Sequence, residues 1–131
     1  MISRRELLPS LLGLALPAGV VLPLRAATEK AKPLNLKITG LKTFVVNVGN
    51  VNWAFVKIYT NQGITGLGEG SITSKEATLS AAIMEHERYL VGKDPTDIEL
   101  HYQAMFRWPR WRGGPILNSA ISAVEIALWD I

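Results

Sequence analysis

The spacing of apolar and polar positions changes along this chain, and each change marks an element. From Leu36 to Val48 ("LKITGLKTFVVNV") β-branched residues partly alternate, with Phe44, Val46 and Val48 on one side and Val45 and Asn47 on the other. That pattern predicts a long strand bent at Gly40. Trp53–Thr60 alternates Phe55, Lys57 and Tyr59 against Val56 and Ile58, and Asn61-Gln62-Gly63 separates it from Ile64–Gly70 ("ITGLGEG"). This is a hairpin, and the first strand pairs with it to complete a three-stranded antiparallel meander. Beyond Gly70 the period lengthens. Leu79, Ala82, Ile83, His86 and Leu90 line one face of a helix opened by Thr73 and Glu76 at capping-box spacing and closed by Gly92. A second helix runs from Asp94, as N-cap, to Trp108, with Pro95 in its first turn and Pro109 as terminator. Pro115 starts the third. Strands first and helices afterwards indicate an α+β fold rather than a wound parallel sheet.

The last helix departs from the usual one-sided pattern. Leu117, Ala120, Ile121, Val124, Leu128 and Ile131 form one stripe, while Ala123, Ile126, Ala127 and Trp129 carry apolar surface around both flanks. A helix with so narrow a polar side is built to sit between two layers of protein. The expectation is that part of its cover comes from outside residues 36–131.

The amino-terminal stretch changes how the composition reads. Arg4 and Arg5 precede an apolar run from Leu7 to Leu24 that closes on Ala26 and Ala27, the layout of an export signal. "SRRELL" resembles the twin-arginine type, which predicts cleavage after Ala26 or Ala27 and a periplasmic location. Three prolines and two glycines between Pro9 and Pro23 make it a poor membrane-spanning helix. Residues 1–27 are thus read as the signal, 28–35 ("TEKAKPLN" with its polar character) as a linker, and 36–131 as the folded domain. Removing 1–27 takes away Arg4, Arg5 and Arg25 against Glu6. The 14 basic and 11 acidic residues of the whole chain become 11 and 10, a net charge of +1. Nucleic-acid binding loses its support in composition. With no cysteine, disulfides and thiolate metal sites are excluded.

Few residues carry chemistry. "GLGEGS" lacks the third glycine and the βαβ context of a dinucleotide loop. Glu69, the only acid in the strand region, reads as structural, since a general acid or base needs a positioned partner. His86 and His101 each stand alone on a helix, with no second ligand at i+4. Asp94, Asp97 and Glu99 sit where helix caps and solvated surface belong. "RWPRWRGG" interleaves Arg107, Arg110 and Arg112 with Trp108 and Trp111, for which packing by the tryptophans is the first reading.

The order of elements, with "GLGEG" after the hairpin, "LVGKDP" after the first helix and "RGGPILNSAISAVEIALWDI" at the end, resembles the N-terminal capping domain of the mandelate racemase/muconate lactonizing enzyme family of the enolase superfamily. Among its members it resembles the acid-sugar dehydratases of the galactonate type. The resemblance covers Leu36 to Ile131. It implies a capping domain packed on a (β/α)7β barrel, whose strands carry the Mg²⁺ ligands and the lysine and histidine bases that remove a proton α to a carboxylate. None of those residues has a matching position here, so the resemblance assigns this chain no catalytic residue, no metal ligand and no cofactor of its own. It implies instead that the loops Gly49–Trp53 and Gly70–Ser74 close over the barrel mouth and shape specificity. Asn50, Asn52 and Trp53 then become candidates for contact with an aldonic acid, since amides suit hydroxyls and indole suits a sugar face. Arg112 could face its carboxylate.

The expectation is therefore a truncated, exported capping domain, inactive without a barrel as its partner, with an apolar surface that favours homo-oligomers. The alternative is an exported, non-catalytic binding or interaction module that reuses the fold, with the last helix as its partner surface.

Overall fold

The computed structural model describes residues 35–131. The expected signal, and all of the expected linker except Asn35, lie outside the described residues. Strands β1 (Ile38–Asn47), β2 (Asn52–Thr60) and β3 (Thr65–Glu69) form one antiparallel sheet in the order β1-β2-β3, the meander that the alternation predicts. Its two faces differ sharply. On β2 Ala54, Val56, Ile58 and Thr60 are buried, and the register sets Leu41 and Gly66 beside Ile58 and Thr43 and Gly68 beside Val56. The opposite face carries Phe44, Phe55 and Glu69 in one row and Lys42, Lys57 and Leu67 in the next.

The bend expected at Gly40 is a β-bulge, where the register shifts between Ile38 and Gly40. It lets Ile38 and Leu41, three apart, both bury toward the helices. The N–H of Leu41 donates to Glu87 Oε1 at 3.1 Å. At the far hairpin, Gly63 takes φ +78° in the turn and the Thr60 N–H donates to the Ile64 carbonyl at 3.1 Å.

Three helical stretches follow, the first in two pieces: α1 (Glu76–Glu85) and α2 (Glu87–Leu90) meet at His86, and then come α3 (Ile98–Arg107) and α4 (Pro115–Asp130). Of the predicted stripe, Leu79, Ala82, Ile83 and Leu90 are buried, and His86, where the helix breaks, is half-buried. Two predicted caps are corrected. Ser74 turns left-handed, φ +63°, so the helix starts beyond Lys75, which makes no side-chain cap bond, and Glu76 Oε1 accepts from the Ser74 N–H at 3.1 Å rather than serving a Thr73 capping box. Asp94 closes an Asx turn instead of capping α3. Its Oδ1 accepts from the Thr96 N–H (2.9 Å) and hydroxyl (2.7 Å), bonds that hold its carboxyl below the usual range. Gly92 does end α2, at φ +83°, and its N–H donates to the Ile38 carbonyl at 2.8 Å.

The helices cover one face of the sheet in a two-layer α+β arrangement. Its closest contact runs along β3. Gly66, Gly68 and Gly70 lie on successive inward positions against Ala127, Ala123 and Ser119 of α4. Two residues of strand advance about 6.6 Å and four residues of helix about 6 Å, so the two rows stay in step. A Cβ on Gly68 would overlap the Ala123 carbonyl oxygen, and one on Gly70 would lie 2.7 Å from the Ala123 Cβ. Asp130 then fastens the end of α4, its Oδ2 accepting from the edge N–H of Leu67 at 2.9 Å. The glycines of "GLGEG" and the aspartate of "ALWDI" are thus two sides of one joint.

This joint covers one flank of α4 and leaves the other open. Ala120, Ile121, Ala123, Val124, Ala127 and Leu128 are buried, while Ile126 is 46% and Trp129 72% exposed.

Candidate functional site at the β1–β2 hairpin end

Past Thr43 the hairpin outgrows the helices that cover its base. Phe44, Val45, Val46, Val48, Val51 and Trp53 are all more than a third exposed, on both faces of the ribbon. A two-sided apolar ribbon in water is unusual and marks a contact surface. Its tip is held by polar side chains. Asn47 Nδ2 donates to Asn52 Oδ1 at 2.8 Å across the last strand pair, and the Val48 N–H donates to the Val51 carbonyl at 2.8 Å. Asn47 Oδ1 also accepts from the Gly49 N–H at 3.3 Å, and Gly49 turns at φ +79°.

The two expected loops meet at this end. Gly70 donates its N–H to the Ala54 carbonyl (3.1 Å), and the Ala54 N–H donates to Ser71 Oγ (2.9 Å), which ties Gly70–Ser74 to the start of β2 beside Gly49–Trp53. Glu69 Oε1 accepts from the Ser71 N–H at 3.2 Å, a structural bond that shapes the second loop.

Asn50 is exposed at the tip, and Asn52 and Trp53 follow it with side chains on opposite faces of the ribbon. Asn52 shares the face of Ala54. Trp53, 45% exposed, meets the ring of Phe55 edge-on at 6.4 Å, and Phe55 stacks on Phe44 at 5.5 Å. A ligand lying against one face meets Asn52 or Trp53, and only one at the tip reaches Asn50 as well. Arg112 lies elsewhere. It lines a cavity of about 300 Å³ between α1, α3 and α4 whose walls include none of the three hairpin residues.

That cavity adjoins a second, of about 460 Å³, between α1–α2 and α3. Arg88 lines both, and Arg110 joins Arg112 in the smaller one. Arg88 escaped the sequence reading because it stands on the polar side of its helix, nineteen residues before the arginine–tryptophan stretch that starts at Arg107. His86 also lines both, and burial, more than the opposed charges of Glu85 and Arg88, pushes its pKa below the ordinary value. His101 is fully buried and structural: Nε2–H donates to the Asp94 carbonyl (2.7 Å), and Nδ1 accepts from the Tyr89 hydroxyl (3.1 Å). Among the described residues no three His, Asp or Glu side chains converge on a metal position.

Comparison with known proteins places these features. Residues 26–131 match the family model for the mandelate racemase/muconate lactonizing enzyme N-terminal domain. A D-galactonate dehydratase family member from Salmonella enteritidis is 46% identical over 102 residues, 76% of this chain and 24% of that protein. A D-galactonate dehydratase from Ralstonia pickettii is 44% identical over 96 residues, again 24% of its length. Among solved structures, an enolase from Pantoea ananatis with bound D-gluconate and Mg superposes with a TM-score of 0.70 at 40% identity, covering 74% of this chain and 24% of that one. The chain spans about a quarter of the length of the relatives it matches.

Proposed function

Because the chain belongs to the mandelate racemase/muconate lactonizing enzyme N-terminal domain family, within the enolase superfamily, we propose that residues 36–131 are the capping layer of a Mg²⁺-dependent acid-sugar dehydratase. In this reading the hairpin ribbon and the Gly70–Ser74 loop close over a barrel that carries the metal and the bases. Asn50, Asn52 and Trp53 contact an aldonic acid and set its selection, and residues 1–131 by themselves turn nothing over. The ribbon carries the reading: it is apolar on both faces where the domain has nothing to lay against it, and so is the Ile126–Trp129 flank of α4. The names of the relatives, D-galactonate dehydratases and a gluconate-bound enolase, support the substrate class. Export by a twin-arginine signal belongs to the same proposal, on the strength of "SRRELL" and the apolar run behind it.

The test joins residues 36–131 to the barrel of a D-galactonate dehydratase in place of its own capping domain, with the unfused chain assayed in parallel. Expected is Mg²⁺-dependent dehydration of an aldonic acid by the fusion and none by the unfused chain. Asn50→Ala and Asn52→Ala in the fusion should change the ranking of substrates by KM, with smaller change in kcat. A folded fusion without turnover, or turnover by the unfused chain, refutes the proposal.

A further inference from the structure

We propose that the cavity between α1–α2, α3 and the loop 108–113 binds a small aromatic carboxylate, at a site separate from the hairpin end. The two adjoining hollows, about 460 and 300 Å³, share Glu85, His86, Arg88, Met105 and Pro109 and thus form one depression. That is within the usual size of a small-molecule site.

Charge selects the ligand's head. Three arginines, Arg88 from α2 and Arg110 and Arg112 from the loop, face the depression against the single carboxylate of Glu85. His86 adds no charge at neutral pH, since burial lowers its pKa. Arg88, Arg110 and Arg112 bring planar guanidinium forks, which take a carboxylate through paired N–H donors.

Ring surface selects the ligand's body. Trp108 and Trp111 are 77% and 80% exposed at the rim, although indole is among the side chains that gain most from burial. Trp108 already meets the Tyr89 ring edge-on at 5.4 Å, which holds one wall in place. The floor of Met105, Leu117 and Ile121 has no donors or acceptors for hydroxyl groups. A flat apolar ring fits this lining, and a polyhydroxy chain leaves its hydroxyls unpaired. The site therefore discriminates against the aldonic acids assigned to the hairpin end.

The experiment uses the whole chain and three probes, benzoate, benzyl alcohol and D-gluconate, followed by calorimetric titration with tryptophan fluorescence in parallel. Benzoate should bind saturably, and benzyl alcohol and gluconate should each bind at least about tenfold more weakly. Arg88→Gln and Arg110→Gln, both at exposed positions, should each weaken benzoate by about tenfold or more while the circular dichroism stays that of the parent. Trp111→Phe should remove most of the fluorescence change. The proposal is overturned if benzoate gives no saturable heat, if benzyl alcohol or gluconate matches it, or if both arginine variants bind benzoate like the parent.

Discussion

Gly68→Ala adds one methyl group where β3 and α4 approach backbone to backbone. The new Cβ would overlap the carbonyl oxygen of Ala123 and come within 2.9 Å of the Ala127 nitrogen. Both are backbone atoms of α4, so no side-chain rotation relieves the clash and the helix must lift from β3. Overpacking of this kind costs about 1–3 kcal/mol, with a backbone clash toward the upper end. Alanine returns about 0.5–1 kcal/mol by its better strand propensity. The net loss is about 2 kcal/mol, which for a domain of this size lowers Tm by roughly 8–16 °C. Thermal unfolding followed by circular dichroism measures it. Two companion variants isolate the cause. Ala123→Gly should leave the Gly68→Ala defect in place, because the obstacle there is a carbonyl oxygen, whereas it should ease Gly70→Ala in part, since the new Cβ there meets the Ala123 methyl at 2.7 Å as well as the Ser119 carbonyl oxygen at 2.8 Å. A Gly68→Ala protein as stable as the parent would refute the close-packed joint.

Asp130→Ala should cost about 0.5–1.5 kcal/mol and speed hydrogen exchange at the Leu67 amide, the donor it leaves without its partner, while Asp130→Asn keeps most of the bond. The pH dependence of stability should carry a signature of His86. Its folded pKa lies below the ordinary value of 6.5 through burial, so the unfolded chain binds more protons and stability falls as pH drops from about 6.5 through the folded pKa. His86→Gln should flatten that slope in urea titrations at stepped pH, and a slope unchanged by the substitution would contradict the assignment.

Elements whose period is set by burial were legible in the sequence: the meander, the buried stripe of Leu79, Ala82, Ile83 and Leu90, and the start of α4 at Pro115. What escaped depended on contacts between distant residues. The alternate glycines of "GLGEG" carry no partner in the sequence, and only the approach of α4 shows that the missing side chains make room for a helix. Helix starts were misplaced because Ser74 and Asp94 follow local turn geometry rather than capping statistics. At the hairpin end, Asn50, Asn52 and Trp53 are neighbours in sequence, yet the strand pleat sends Asn52 and Trp53 to opposite faces. Arg112 and Arg88 were separated by sequence and are joined by the packing of α3 and α4 against α1 and α2.

The proposed function rests on the open flank of α4 being built to pack against another layer of protein. It is tested most directly by acrylamide quenching of Trp129 in a variant whose other tryptophans, Trp53, Trp108 and Trp111, are phenylalanine. Trp129 should be quenched nearly as freely as a solvated indole in the chain alone and become shielded once residues 36–131 are joined to a dehydratase barrel. Equal protection in both proteins would contradict it.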